Sequence, residues 1–229
     1  MRFLKRFFTV AVAALICISI NATAANMTAH QTVESTSSRV MTLINEANGY
    51  FEQDPDRFYG EVEQILEEVV DFNSFSRGVM GPYATKDYYR QLGSKEAKKA
   101  FVTQVKRFSV VFREGLVKTY AKGLLAFGGT KVEVVAPKVG AAVSTSVAVL
   151  QKIYGGADKP YEVLYKMRQD RSGGWKVRNV TIEAVNLGKV YQGQFISAAK
   201  QYDGDIEKVI DNWSVSPSGQ QVPQPKAAQ

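Results

Sequence analysis

Hydrophobic positions recur at steps of three and four through the first half of this chain and at steps of two through much of the second. The first period marks amphipathic helices and the second half-buried strands. Residues 26–34 are polar and predict a loose segment. Val40, Ile44, Ala47 and Phe51 then follow at helical spacing, ending near Asp54. Asp54-Pro55 restarts a helix with a carboxylate N-cap and proline at the first position. In it Phe58, Val62, Ile65, Leu66 and Val69 share one face, opposed by Glu61, Glu63, Glu67 and Glu68. Asp71 is placed to cap a short helix over 72–80, which Gly81-Pro82 stops. Ser94 opens the longest periodic stretch, where Phe101, Val105, Phe108, Phe112, Leu116, Tyr120 and Leu124 form one stripe. Gly115 permits a bend within it, and Gly128-Gly129 ends it.

Beyond residue 129 four strands are predicted, over 131–136, 142–154, 161–169 and 175–183. The segments between them, 137–140, 155–158 and 170–174, are rich in Gly, Pro and Asp. Connections this short favour antiparallel neighbours in a meander. Helical spacing returns over 188–202 and 205–213. The expected fold is α+β: a helical N-terminal half on a twisted antiparallel four-stranded sheet, with closing C-terminal helices.

The N-terminus changes where such a fold would work. Arg2, Lys5 and Arg6 precede an apolar run over 7–20, and Ala22-Thr23-Ala24 has the small-x-small form of a cleavage site. Residues 1–24 therefore read as a secretory signal peptide. Cys17 lies inside the apolar run behind Ile16, not at its end behind a small residue, so it does not read as a lipid-attachment site. The organisation expected is a leader over 1–24, one domain over 25–216 and a disordered tail over 217–229 with three prolines and four glutamines. Removal of the leader takes three positive charges from the formal +7, leaving +4, and removes the sole cysteine. A modest positive excess outside the cytoplasm suits anionic membrane surfaces or acidic partners, and export argues against nucleic acid.

Candidate chemistry is sparse. The sole histidine, His30, falls in the segment expected to be loose, where a catalytic base has no fixed position. Without cysteine, thiol nucleophiles and most zinc sites are excluded. The four glutamates on the 55–69 helix read as a solvated face. The glycine pairs 128–129 and 155–156 lack the strand-to-helix setting of a phosphate loop and read as turns. Eight basic residues against two acidic ones lie between Ser94 and Lys122. Lys95, Lys99, Lys106 and Arg113 share a narrow arc, either a solvated helix back or a surface for lipid headgroups or docking. The aromatic and valine-rich stripes serve equally as a solid core or as the wall of an apolar cavity, and periodicity does not separate these.

Two segments distinguish them. Val70 through Tyr83 (VDFNSFSRGVMGPY) follows the pattern V-D-F-x-x-[IF]-[SA]-R-x-V-[LM]-G-x-Y closely. Trp175 through Phe195 (WKVRNVTIEAVNLGKVYQGQF) follows W-x-V-x-[DN]-V-x-[IV]-E-x-[VI]-x-L…Y…Q-F. Together they resemble the periplasmic phospholipid-binding proteins of the Mla (toluene-tolerance) lipid-transport system, the MlaC-type family, with like order and spacing over about residues 33–213.

The resemblance implies a soluble periplasmic carrier holding phospholipid acyl chains between sheet and helices. It implies exchange with an inner-membrane ABC-transporter complex through its substrate-binding-protein-like subunit, and with an outer-membrane lipoprotein–porin complex, in maintaining outer-membrane lipid asymmetry. No cofactor is expected beside the lipid cargo. By stripe and strand parity, the expected tail contacts are Phe108, Phe112, Leu116, Val147, Val149, Val163, Tyr165 and Phe195. The expected headgroup or docking residues are Lys95, Lys99, Lys106 and Arg113. Asp71 is expected as a cap, with Arg77 as its ion-pair partner. Three other readings share this pattern: an envelope adaptor with a solid core, a binder of smaller hydrophobes, and an isomerase-like enzyme, which would need a carboxylate on an inward strand face.

Overall fold

The computed structural model of the chain describes residues 27–126, 131–137, 144–155 and 159–215. The leader, the tail over 217–229, Gly128-Gly129 and residues 142–143 of the second expected strand lie outside them.

The segment expected to be loose is instead the start of helix α1, Ala29–Ala47. The Gln31 amide N donates to Thr28 Oγ1 at 3.2 Å, and the Thr28 amide N donates to Gln31 Oε1 at 2.9 Å. This reciprocal capping box satisfies two donors that a helix start leaves open. Ala29 and Val33 are buried against Val149, Met167 and Val177 of the sheet. So few apolar positions give no helical period, and the burial that holds this turn comes from strands more than a hundred residues later.

Helix α2, Pro55–Val69, starts on the Asp54 carboxylate, which accepts the Arg57 amide at 3.2 Å. Its glutamates do more than face water. Glu63 and Glu67 pair with Arg113, Glu68 pairs with Arg39, and Glu61 accepts from Arg57 and Tyr50. Helix α3, Phe72–Met80, is capped by Asp71 Oδ1, which accepts the Ser74 amide at 2.8 Å, and ends at Gly81 with φ +56°. The stretch 81–94 holds a 3-10 turn, Gly81–Ala84, and a short helix α4, Lys86–Gln91.

Helix α5, Lys95–Ala126, runs unbroken through Gly115. The glycine serves close approach rather than a bend, because a Cβ there would collide with the Val215 side chain.

The strands are β1 Val132–Val134, β2 Ser146–Ile153, β3 Tyr161–Gln169, β4 Trp175–Ile182 and β5 Val185–Asn186, antiparallel and in sequence order. The fifth strand, unforeseen in the sequence, is a two-residue return of β4 through Glu183 and Ala184 at φ +46° and +66°. That left-handed pair is what a tight hairpin needs, so the fourth strand stops one residue short of Glu183. Helices α6, Leu187–Gln201, and α7, Ile206–Asp211, close the chain over the helical half.

The two segments that carried the resemblance meet here. Val70 bridges Val177, and the Asp71 amide donates to the Val177 carbonyl at 3.0 Å. The pairing of β3 with β4 shifts register after Lys166, leaving Arg178 as the extra residue of a bulge. A bulge re-aims a side chain. Arg178 Nη2 lies 2.9 Å from Asp71 Oδ2, and Nη1 donates to Ser74 Oγ at 2.7 Å. The expected partner of Asp71 was Arg77, but that guanidinium donates to the Ala84 carbonyl at 3.2 Å, one turn beyond its own helix. Asp71 caps the helix N-terminus while Arg77 sits in the last turn, so the strand reaches the carboxylate and Arg77 does not.

Among the described residues, three apolar clusters hold the layers together. One joins α3, α5, α6 and α7 around Phe75, Phe108, Phe112, Tyr191 and Phe195. A second joins α1, α2 and the later part of α5 around Leu43, Phe58, Val62 and Val117. The third seats α1 on the sheet.

Candidate functional site

Between these clusters lies a cavity of about 330 Å³. Its walls come from the middle of α1 (Thr36, Val40, Met41), from α2 (Leu66, Val69), from α5 beyond Gly115 (Leu116, Tyr120, Leu124) and from the inward face of the sheet (Val163, Tyr165, Met167). No charged side chain lines it among the described residues. A hydrocarbon ligand therefore meets no buried ion, whose desolvation would cost several kcal/mol.

The strand periods explain the sheet wall. On β3, Val163, Tyr165 and Met167 face inward, and on β2 the same parity carries Val149, Gln151 and Ile153. Gln151 is thus a polar side chain at an inward position, only 2% exposed. Its hydrogen bonds offset that burial. Tyr165 Oη donates to Gln151 Oε1 at 2.8 Å, Gln151 Nε2 donates to Ser37 Oγ at 2.5 Å, and Ser37 Oγ donates to the Val33 carbonyl at 2.8 Å. Burial pushes the Tyr165 hydroxyl pKa well above its ordinary value, so the chain of donors stays protonated at neutral pH. On the other wall, the Tyr120 and Tyr191 hydroxyl oxygens lie 2.7 Å apart.

The expected tail contacts divide. Leu116, Val163 and Tyr165 line the cavity. Phe108, Phe112 and Phe195 do not: they are wholly buried in the cluster between α5, α6 and α7, with Phe108 and Phe195 ring centroids 4.8 Å apart in an edge-on contact. Val147 and Val149 pack with α1 on the sheet, outside the cavity wall. The division has one physical cause. The α5 stripe serves two neighbours in turn, packing on α6 and α7 before Gly115 and facing the cavity after it. One helical period cannot tell a neighbour made of side chains from an open space.

Sequence reasoning missed the α1 wall and Gln151. The α1 residues carried part of a helical period but had no assigned partner. Gln151 continues the Val147–Val149 alternation, and reading parity through the polar residue would have found it.

The basic arc divides as well. Lys95, Lys99 and Lys106 are exposed and without an ion-pair partner among the described residues. Beside them Val102 and Val110 are 43% and 42% exposed. Arg113 is removed from that surface: it is half-buried and paired with Glu63 and Glu67 of α2, where it ties two helices. Among the described residues no helix is long and apolar enough to cross a membrane, and no cluster of His, Cys, Asp or Glu could hold a metal.

The comparisons with known proteins agree with this architecture. Toluene tolerance protein ttg2D of Pseudomonas putida is 29% identical over 192 residues, 84% of this chain and 82% of the relative. A phospholipid-binding protein from Ralstonia solanacearum, solved with a phospholipid at 1.53 Å, shares the fold with a TM-score of 0.63 at 21% identity, covering 81% of this chain and 94% of its own. The pattern of the family described as MlaC protein matches residues 34–215, which span both the Val70–Tyr83 and Trp175–Phe195 segments and their junction at Asp71 and Arg178; this chain belongs to the MlaC family.

Proposed function

We propose that this chain is a periplasmic phospholipid carrier, exported by the leader over 1–24, which shuttles lipid between the outer and inner membranes and so maintains outer-membrane lipid asymmetry. The observation that carries the reading is the cavity: about 330 Å³, walled by α1, α2, α5 and the sheet, with no charged lining among the described residues. That volume falls within the roughly 300–1,000 Å³ of small-molecule sites. The Ralstonia protein of the same fold, solved with a phospholipid, adds support.

The energetic need is large. Each methylene removed from water contributes about 0.8 kcal/mol, so a lipid with roughly thirty would cost on the order of 20 kcal/mol to cross the aqueous space bare. A carrier removes that cost by presenting hydrocarbon to the tails while the headgroup stays in water. Met41 and Met167 suit this role because unbranched thioether side chains repack around chains of different length.

Docking belongs to the same proposal. Lys95, Lys99 and Lys106 with the exposed Val102 and Val110 form the face offered to anionic headgroups or to acidic partner surfaces. The partners proposed are an inner-membrane ABC-transporter complex, met through its substrate-binding-protein-like subunit, and an outer-membrane lipoprotein–porin complex.

The test is native mass spectrometry of protein purified from periplasm without detergent, followed by solvent extraction and lipid analysis. Phospholipid at defined stoichiometry is the expected result. An apo mass that persists after incubation with phospholipid vesicles would overturn the carrier reading and favour an adaptor.

A further inference from the structure

The cavity wall holds one hydroxyl pair in which one of the two protons finds no acceptor among the described residues. Tyr120 of α5 lines the cavity, whereas Tyr191 of α6 is 0% exposed and packs edge-on against Phe112 with ring centroids 5.5 Å apart. Their hydroxyl oxygens, 2.7 Å apart, are each other's sole hydrogen-bond partner among the described residues. One contact uses one proton, and the pair carries two.

Burial decides which proton is used. If Tyr120 donated, the Tyr191 proton would be stranded in an aromatic core with no acceptor, incurring the full desolvation penalty of a buried donor. Tyr191 therefore donates and Tyr120 accepts. Burial raises both hydroxyl pKa values, so neither deprotonates near neutral pH to relieve the surplus. The Tyr120 proton is left without an acceptor among the described residues, on a stretch of the cavity wall that its helix shares with Leu116, Val117 and Leu124. Of the other wall hydroxyls, Thr32 and Thr36 donate to backbone carbonyls one turn back, at 2.9 and 2.7 Å, and Ser37 and Tyr165 are spent in the Gln151 chain, while Tyr161 at the start of β3 belongs to the opposite wall.

We propose that the Tyr120 hydroxyl determines specificity by donating a hydrogen bond to an acyl carbonyl oxygen of the bound lipid, with Tyr191 as the positioning residue that fixes the direction of its proton. The inference rests on the lipid-carrier reading. Methylenes accept nothing, so the carbonyl is the group of an acyl chain that this donor can use. That carbonyl is either an ester of a glycerolipid or the carboxyl of a free fatty acid.

The experiment compares delipidated wild-type protein with the double variant Tyr120→Phe/Tyr191→Phe. Both rings and their volume are kept, and both hydroxyls leave together so that neither is orphaned. Each protein is incubated with a diacyl phosphatidylglycerol, its dialkyl ether analogue of equal chain length, or palmitic acid, and retained lipid is counted after gel filtration. Expected is a fall of about three- to tenfold in diester affinity in the double variant, from the loss of one hydrogen bond, with the ether analogue unchanged. Tyr191→Phe alone should lower the ester-over-ether preference without abolishing it, which a purely structural role would not do. A Tyr120-dependent loss with the diester assigns an ester carbonyl, and one confined to palmitic acid assigns a free carboxyl. Dependence with neither overturns the inference. Retention of none of the three lipids by the wild type brings down the carrier reading itself.

Discussion

Gln151 of the sheet donates through Nε2 to Ser37 Oγ of the first helix at 2.5 Å, across 114 positions of sequence. Ser37 in turn anchors on its own helix at the Val33 carbonyl, and Tyr165 occupies the other end of the amide. An apolar cavity thus contains a polar clasp whose members satisfy one another, and it joins the two elements that face each other across the space. Inside a low-dielectric wall such a chain is strong when complete and costly when broken.

The clasp yields the first prediction. Gln151→Leu should destabilise the protein by about 1–3 kcal/mol, because Tyr165 loses its acceptor inside the fold. Ser37→Ala should cost less. A double-mutant cycle in urea should return a coupling of about 0.5–3 kcal/mol, and additive single effects would show that α1 is held by packing alone.

Cavity and core residues should separate cleanly. Leu116→Trp places bulk into the cavity, so bound phospholipid should drop while the thermal midpoint stays near that of the wild type. Phe108→Ala removes a wholly buried ring and should cost about 3–5 kcal/mol, with lipid retained by the protein that remains folded. Native mass spectra beside melting curves read both quantities. Lipid loss in both variants would contradict the division of the α5 stripe at Gly115.

The junction of the two motif segments depends on Asp71, which caps α3 and pairs with Arg178. Asp71→Ala should cost about 1 kcal/mol for the cap and more for the stranded guanidinium, measured by denaturant unfolding. Arg178→Lys should recover little, since a lysine cannot bridge the carboxylate and the Ser74 hydroxyl as a planar fork does. Arg77→Ala should be milder than either; an equal loss there would restore Arg77 as the partner that matters.

The proposed transfer of lipid between membranes should depend on the exposed lysines. Lys95→Glu/Lys99→Glu/Lys106→Glu should slow lipid exchange with vesicles containing anionic lipid. Raising salt should shrink the difference, because charges at a surface are screened beyond about 8–10 Å at physiological ionic strength. Identical exchange rates at low salt would remove this face from docking.

Acid should weaken the α1–α2 side. Tyr50 and then Arg57 hold the Glu61 carboxyl below its ordinary 4.5, and Arg39 does the same for Glu68. A carboxyl with a lowered folded pKa contributes stability above its unfolded pKa, and that contribution is lost as pH falls through the folded value. The melting temperature should therefore be insensitive to these groups from pH 7 to about 5 and decline below about 4.5. In Glu61→Gln/Glu68→Gln that decline should be shallower. Both side chains are partly exposed, so the change is a small share of the whole.

Element types were largely legible in the sequence because local chemistry specifies them. Asp54-Pro55 starts α2, Asp71 starts α3, and the alternation over 161–169 matches β3 to the residue. The family was legible too, since Val70–Tyr83 and Trp175–Phe195 are contiguous strings. What tertiary structure decided was the partner of each face. The first turns of α1 exist as helix because β2, β3 and β4 bury Ala29 and Val33. The ion pair of Asp71 goes to Arg178 because a bulge in β4 re-aims that side chain, and no local pattern encodes a bulge. Phe108 and Leu116 lie on one periodic stripe, yet one fills a core and the other faces a cavity. Periodicity records only that a side chain turns away from water; whether it meets another side chain or an open space depends on elements that the stripe does not contain.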